Sequence, residues 1–213
     1  MNSEDVATYL KEHPAFFEEY AEMMSEIHIP HPHGGRTIPI SERQILTLRE
    51  KSKQLEGKLR EIIQFGEDND AISEKMHRIT LALLGAKDIA ATVHATEFNL
   101  REDFLVPHVV LRLWRGAGDL SVFQPASEAT CHFAAGLAHP HCCSQAAADT
   151  AELFGESAPL LKSFAYVGLR DGDCFGLVAL ASEDPHRFYP EMGTIFLSRL
   201  GDIIAAALAR HLV

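Results

Sequence analysis

The sequence predicts an α+β protein: an antiparallel β-sheet flanked by helices, preceded by a long helix and, before that, short N-terminal helices. Three observations predict it. Residues 41–86 carry apolar side chains three and four apart over many more turns than an ordinary helix has. His108 to Trp114 (HVVLRLW), and two apolar runs either side of Arg170-Asp171-Gly172-Asp173, have the β-branched content and the Asp-Gly turn of antiparallel strands. Pro190 then opens a stretch with a broad apolar helical face. The expected segments are 1–40, a helical segment ending in a Pro/Gly loop; 41–86, a long coiled-coil-like helix; and 87–213, the sheet domain.

Residues 1–27 read as two short helices. Ser3 can cap the first, with Val6, Tyr9 and Leu10 as its apolar face. Pro14 suits the first position of the second, where Phe16, Tyr20, Met23 and Ile27 would form one buried stripe. Ile29 to Pro39 (IPHPHGGRTIP) is a Pro/Gly loop that must be extended or turned. Ser41 and Gln44 then spell an S-x-x-Q capping box, in which each side chain satisfies a backbone N–H, and Ile40 and Ile45 can staple it.

From there the stripe runs Ile45, Leu48, Leu55, Leu59, Ile62, Phe65, Asn69, Ile72, Met76, Ile79, Leu83. Two consecutive steps of three at 59–62–65 make a stammer, a local overwinding of a coiled-coil seam. The polar side carries basic and acidic residues in near balance, such as Glu56 with Arg60, and reads as a solvated face. At ~1.5 Å per residue such a helix is roughly 65 Å long, more than a domain of this size covers. The half-exposed stripe therefore calls for a second copy, with Leu48, Leu55, Leu59, Ile62 and Asn69 as the dimerisation residues. The alternative is a helix broken at Gly57 or Gly66 and folded back on its own domain, each glycine costing ~1 kcal/mol against alanine.

Asp88 caps the next helix, with Ile89, Val93, Thr96 and Leu100 on one face. In the strand 108–114, Val109, Leu111 and Leu113 share one face, and Val110, Arg112 and Trp114 the other. Gly116 to Asp119 should turn into a second strand, Leu120 to Gln124. Residues 125–160 are the least periodic, with short helices around 127–136 and 145–154. Ser163–Leu169 and Cys174–Ala181 form the hairpin. The whole reads as an antiparallel sheet with helices on one face.

Composition narrows the function. A net charge of −11 argues against a phosphate-neutralising surface, so no nucleic acid partner is expected. No run of 18 apolar residues suggests a membrane span, and no basic-then-apolar leader is visible. Cys131, Cys142, Cys143 and Cys174 form no C-x-x-C pair, and free thiols fit a cytoplasmic setting.

Certain residues together resemble a known family. Val6-x-x-Tyr9-Leu10, Pro14-x-Phe16-Phe17, Ile29-Pro30-His31, Gly34-Gly35 and Ser41-Glu42-Arg43-Gln44 with Leu48-Arg49 are similar to the domain-of-unknown-function 484 family of bacteria. The C-terminal block agrees: Gly176-Leu177-Val178-Ala179-Leu180, Ser182-x-Asp184, Arg187-Phe188 and Pro190-x-Met192-Gly193-Thr194-x-Phe196-Leu197. The resemblance covers nearly the whole chain and is weakest over 115–160. It implies a GAF-like domain over 87–213, kin to sensor folds, behind a helical N-terminal region. It implies no established activity.

By that analogy the irregular middle walls a ligand cavity, and the pocket candidates are Arg112, Trp114, Cys131, His139, His141 and Cys142. Cys131-His132 with His139-Pro140-His141-Cys142-Cys143 has soft-metal ligand types, yet its spacing fits no structural zinc pattern, so it reads as pocket lining. His28, His31 and His33 lack a fourth ligand and a rigid frame and read as solvated histidines. Asp171 and Asp173 are explained by the turn, and Asp184 and Arg187 by an ion pair fixing the loop before the last helix. With no Walker loop, G-x-S-x-G, H-E-x-x-H or dinucleotide fingerprint, no catalytic residue, cofactor or metal is assigned.

The expected function is a non-enzymatic regulatory, sensor or protein-interaction module, homodimeric through the long helix, with a pocket for a small-molecule ligand. A pure interaction scaffold without ligand is the alternative, and a small Cys/His-dependent enzyme is the third reading.

Overall fold

A computed structural model of the chain describes residues 2–30 and 37–212, with the side chains of 25, 28–30 and 37–42 outside the description. His31, His33 and the capping side chains of Ile40 and Ser41 therefore lie outside the described residues, as does the side chain of His28. The chain divides into two compact units, Met1–Glu67 and Asp68–Val213.

The first unit holds α1 (Ser3–Glu12), α2 (Phe16–Glu19), α3 (Ala21–Glu26), the short antiparallel pair β1 (His28–Pro30) and β2 (Thr37–Pro39), and the start of α4 (Ile40–Gly85). The residue capping α1 is Asn2 rather than Ser3. Its Oδ1 accepts from the Asp5 N–H at 2.8 Å while the Asp5 carboxylate accepts from the Asn2 N–H, a reciprocal capping box. The expected second helix is two pieces, because Tyr20 leaves helical geometry at φ −109°, ψ 28°. The stripe expected to be buried is not: Tyr20, Met23 and Ile27 are exposed and Phe16 is only partly covered. Phe16 instead stacks on Tyr20 at 4.7 Å and meets Tyr9 edge-on, an aromatic group at the surface. Among the described residues of 2–67, none is buried.

Helix α4 runs from Ile40 to Gly85 and includes both Gly57 and Gly66 as helical residues. Its apolar stripe has two fates. Ile45, Leu48, Leu55, Leu59, Ile62 and Phe65 are exposed, whereas Met76, Ile79 and Leu83 are core residues of the second unit.

That second unit is built on a four-stranded antiparallel sheet in the order β3 (His108–Leu113), β6 (Asp173–Ser182), β5 (Ser163–Asp171), β4 (His141–Cys143). The β5–β6 hairpin turns at Gly172, whose φ of 73° suits glycine. The Arg115 guanidinium donates to the Asp171 carboxylate beside the turn at 2.8 Å.

Both faces of the sheet are covered, which corrects the expectation of helices on one face. Val109, Leu111, Leu113, Ala165, Val167, Leu169, Val178 and Leu180 pack against α4, α5 (Ile89–Glu102) and α7 (Ile195–Ala209). On the opposite face Phe164, Tyr166, Leu177, Ala179 and Ala181 pack against α6 (Glu128–Gly136) and the irregular 3-10 segment Ala148–Leu160. Two covered faces explain why β5 and β6 read as unbroken apolar runs rather than as alternation.

Asp88 caps α5 as expected, accepting from the Ala91 N–H at 2.8 Å. Two other expectations need correction. Leu120–Gln124 is no strand: Ser121–Phe123 forms a 3-10 turn that buries Val122 in the core and lays Phe123 against Gly116 and Gly118. The last helix starts at Ile195 and not at Pro190, which lies in a turn closed by the Met192 N–H on the Tyr189 carbonyl.

Candidate functional site

The six pocket candidates are distributed over both sides of the sheet. β4 is three residues long, and strand alternation sends Cys142 into the core beneath α7 while Cys143 joins the opposite cluster. His141 is exposed and meets the Phe133 ring edge-on at 6.2 Å, on the α6 side. His139 lines a small crevice with Val167, Arg170, Gly201 and Ala205, on the α7 side. Trp114 packs with the α6-side cluster, its Nε1–H donating to the Cys174 carbonyl at 2.8 Å. Arg112 donates to the Leu111 carbonyl and to Gln124 Oε1. Cys131 sits half-buried on α6. Trp114, Cys131, His139 and His141 thus do not converge on one cavity.

The face on which a pocket was expected is filled by the chain's own side chains. Tyr166 is fully buried, stacked with Phe164 at 6.3 Å and edge-on to Phe133 at 5.2 Å. Its hydroxyl is 2.7 Å from Thr150 Oγ1 and accepts from the Ala147 N–H. Arg170 Nη2 donates to the carbonyls of Ala134, Ala135 and Leu137, tying down the end of α6 on this face.

All four thiols are pushed above their ordinary pKa, chiefly by burial. For Cys131 the Glu128 carboxylate adds to the rise, and for Cys142 the neighbouring Cys143. A nucleophilic cysteine needs the opposite shift. Among the described residues, no three of His, Cys, Asp and Glu come together where they could hold a metal ion.

An open cavity lies elsewhere, within the second unit, on the α7 side of the sheet. It has a volume of about 330 Å³ and is lined by α4, α5 with the loop that follows it, β6, the loop after β6 and α7. Leu100, Phe104, Phe188, Met192, Phe196 and Leu200 form much of its apolar wall. Two cations stand on it, Lys75 and Arg187. Arg187 does not pair with Asp184 as expected. Its Nη2 donates to the Phe104 carbonyl, its guanidinium lies 5.7 Å from the centre of the Phe188 ring, and its Nε is buried without a hydrogen-bond partner. The Asp184 carboxylate instead accepts from the His186 N–H at 2.9 Å, a local turn. Lys75 Nζ lies 6.0 Å from the centre of the Phe104 ring.

Sequence reasoning missed this site because it is assembled from five separate stretches. The available signal was Arg187-Phe188 with Met192-Gly193: an arginine and a run of large apolar residues in a stretch that is not a helix.

A family model described as "Protein of unknown function, DUF484" matches residues 1–213. The chain belongs to that family. No curated protein matches this DUF484 chain. Among solved structures it is similar to the GAF domain of the potassium sensor histidine kinase KdpD from Escherichia coli. That match has 16% identity and a TM-score of 0.43, covering 65% of this chain and 94% of that one. The likeness is too loose to transfer a site.

Proposed function

We propose that this DUF484 protein is a non-enzymatic regulatory and interaction module that works as a homodimer, joined through the exposed half of α4. The observation that carries the reading is the absence of any buried residue among the described residues of 2–67, in a stretch that holds Ile45, Leu48, Leu55, Leu59 and Ile62 at helical spacing. Burying one such side chain contributes about 1.5–3 kcal/mol, so a seam of several on each copy works against the cost of association. The favoured occupant is a second copy, because the stripe continues without a break into the segment that the second unit buries. Leu48, Leu55, Leu59 and Ile62 are the proposed seam, and Asn69, exposed on the same side, would choose the register by pairing with its mate on the facing helix.

The raised thiol pKa values support a binding role over a Cys/His enzyme. The proposed setting is the cytoplasm, which keeps four unpaired thiols reduced. Among the described residues, no helix is long and apolar enough to cross a membrane.

Light scattering on the full chain tests the reading. A mass of twice 23.5 kDa is expected at micromolar concentration, falling to the single-chain mass on replacing Leu55 and Leu59 by Asp. A wild-type protein that stays single at those concentrations removes the dimer, and with it the role of α4.

A further inference from the structure

The cavity beneath α7 carries more than its shape. Its volume of about 330 Å³ lies at the lower end of the range of small-molecule sites, too small for a partner helix and ample for one chain-like molecule. Its wall is predominantly apolar, with three phenylalanines, four leucines, Ile72, Val106 and Met192. Both charged residues that line it are cations, and none of its lining residues is a carboxylate. In a chain of net charge −11 that is a local reversal of sign.

Arg187 adds a second, independent observation. Its guanidinium is held in place by a carbonyl, Phe104 O, instead of a carboxylate, so its charge is not neutralised by that partner. Its Nε is buried and makes no hydrogen bond, which leaves the rest of the guanidinium as the part that a ligand can meet.

We propose that this cavity binds an aliphatic monocarboxylate of medium chain length, its tail among Leu100, Phe188, Met192, Phe196 and Leu200 and its carboxylate toward Arg187 and Lys75. The apolar wall selects the tail by burial. The two cations select the head, because a neutral head would leave the Arg187 donors as they are, whereas a carboxylate accepts from them in charge-assisted hydrogen bonds. The site shares no residue with the proposed dimer seam, and its test reads ligand binding and not the oligomeric state.

The experiment uses full-length protein labelled with 13C at the methionine methyls, of which the chain has five. Decanoate, 1-decanol and butyrate are titrated below the concentration at which decanoate aggregates. Decanoate is expected to shift the Met192 methyl saturably while the Met23 and Met24 signals stay still. Decanol and butyrate, each lacking one half of the chemistry, should bind at least tenfold more weakly. Lys75→Glu, a change at a partly exposed helix position, should weaken decanoate at least tenfold and leave decanol unchanged; Arg187→Met should weaken decanoate further. Should Arg187→Met fail to fold, Lys75→Glu decides alone. Decanol binding as tightly as decanoate, an unchanged affinity in Lys75→Glu, or no shift of Met192 would each overturn the proposal.

Discussion

Tyr166 shows how one side chain closes the second face of the sheet. It is a phenol with no exposed surface, and its hydroxyl ties β5 to the irregular segment through Thr150 and the Ala147 N–H. Tyr166→Phe keeps the ring and removes the oxygen, leaving a buried amide and hydroxyl short of a partner. We expect a loss of about 1–3 kcal/mol in urea unfolding, and an unchanged midpoint would show that water replaces the oxygen without cost. Ionisation gives a second prediction at this scale. Burial raises the pKa of Tyr166 and of the Cys142 thiol in the folded chain, so folding favours their neutral forms. Stability from these groups is complete below the unfolded pKa, about 8.5 for a thiol, and is lost as pH rises through the folded value. Thermal unfolding should therefore fall as pH climbs above roughly 8.5, and Cys142→Ala should flatten the first part of that fall. A slope identical in Cys142→Ala would assign the fall to other groups. Cys142 was read from the sequence as a pocket-lining residue and not as a core one. Nothing in His141-Cys142-Cys143 marks a three-residue strand, and only pairing with Phe164–Tyr166 makes it one.

Among the elements, those set by local chemistry were legible. The capped α5, the Asp-Gly hairpin, the β3 run and the α4 stripe each have a signal within a few residues, and each stands where that signal put it. Leu120–Gln124 misled because its apolar residues are held by tertiary packing, with Val122 in the core and Phe123 over two glycines, rather than by a strand partner. Packing between elements is set by contacts that periodicity does not show, as Gly201 on α7 illustrates. A Cβ at that position would stand 2.4 Å from Val167 Cγ1 on β5, so only glycine lets the helix approach the sheet this closely. Gly201→Ala should destabilise the domain by about 1–3 kcal/mol despite the better helix propensity of alanine. Adding Val167→Ala should recover part of the loss, because it removes the atom in the way; a purely additive double variant would place the strain elsewhere.

For the whole molecule, the sequence made two covered faces hard to see because the helices that cover the second are short, irregular and poorly periodic. The long helix was plain, yet the point where its stripe passes from exposed to buried was not. Periodicity is the same at Leu59 and at Ile79, and only the rest of the fold separates them. That division makes the last prediction. Every core residue of the second unit lies at Met76 or beyond, so a fragment of residues 68–213 keeps the full set of buried contacts, including Arg210 Nη2 on the Leu83 and Ala86 carbonyls at the end of α4. It should fold, remain a single chain, and melt at a temperature independent of its concentration. The full chain should behave differently if residues 40–67 associate. Binding to a second folded copy stabilises by mass action, so its melting temperature should rise with protein concentration, and Leu55→Asp with Leu59→Asp should abolish that rise. Calorimetry over a hundredfold range of concentration separates the cases. A full chain whose melting point stays fixed across the range has no partner in its second copy, and the exposed leucines of α4 must then be met by something other than themselves.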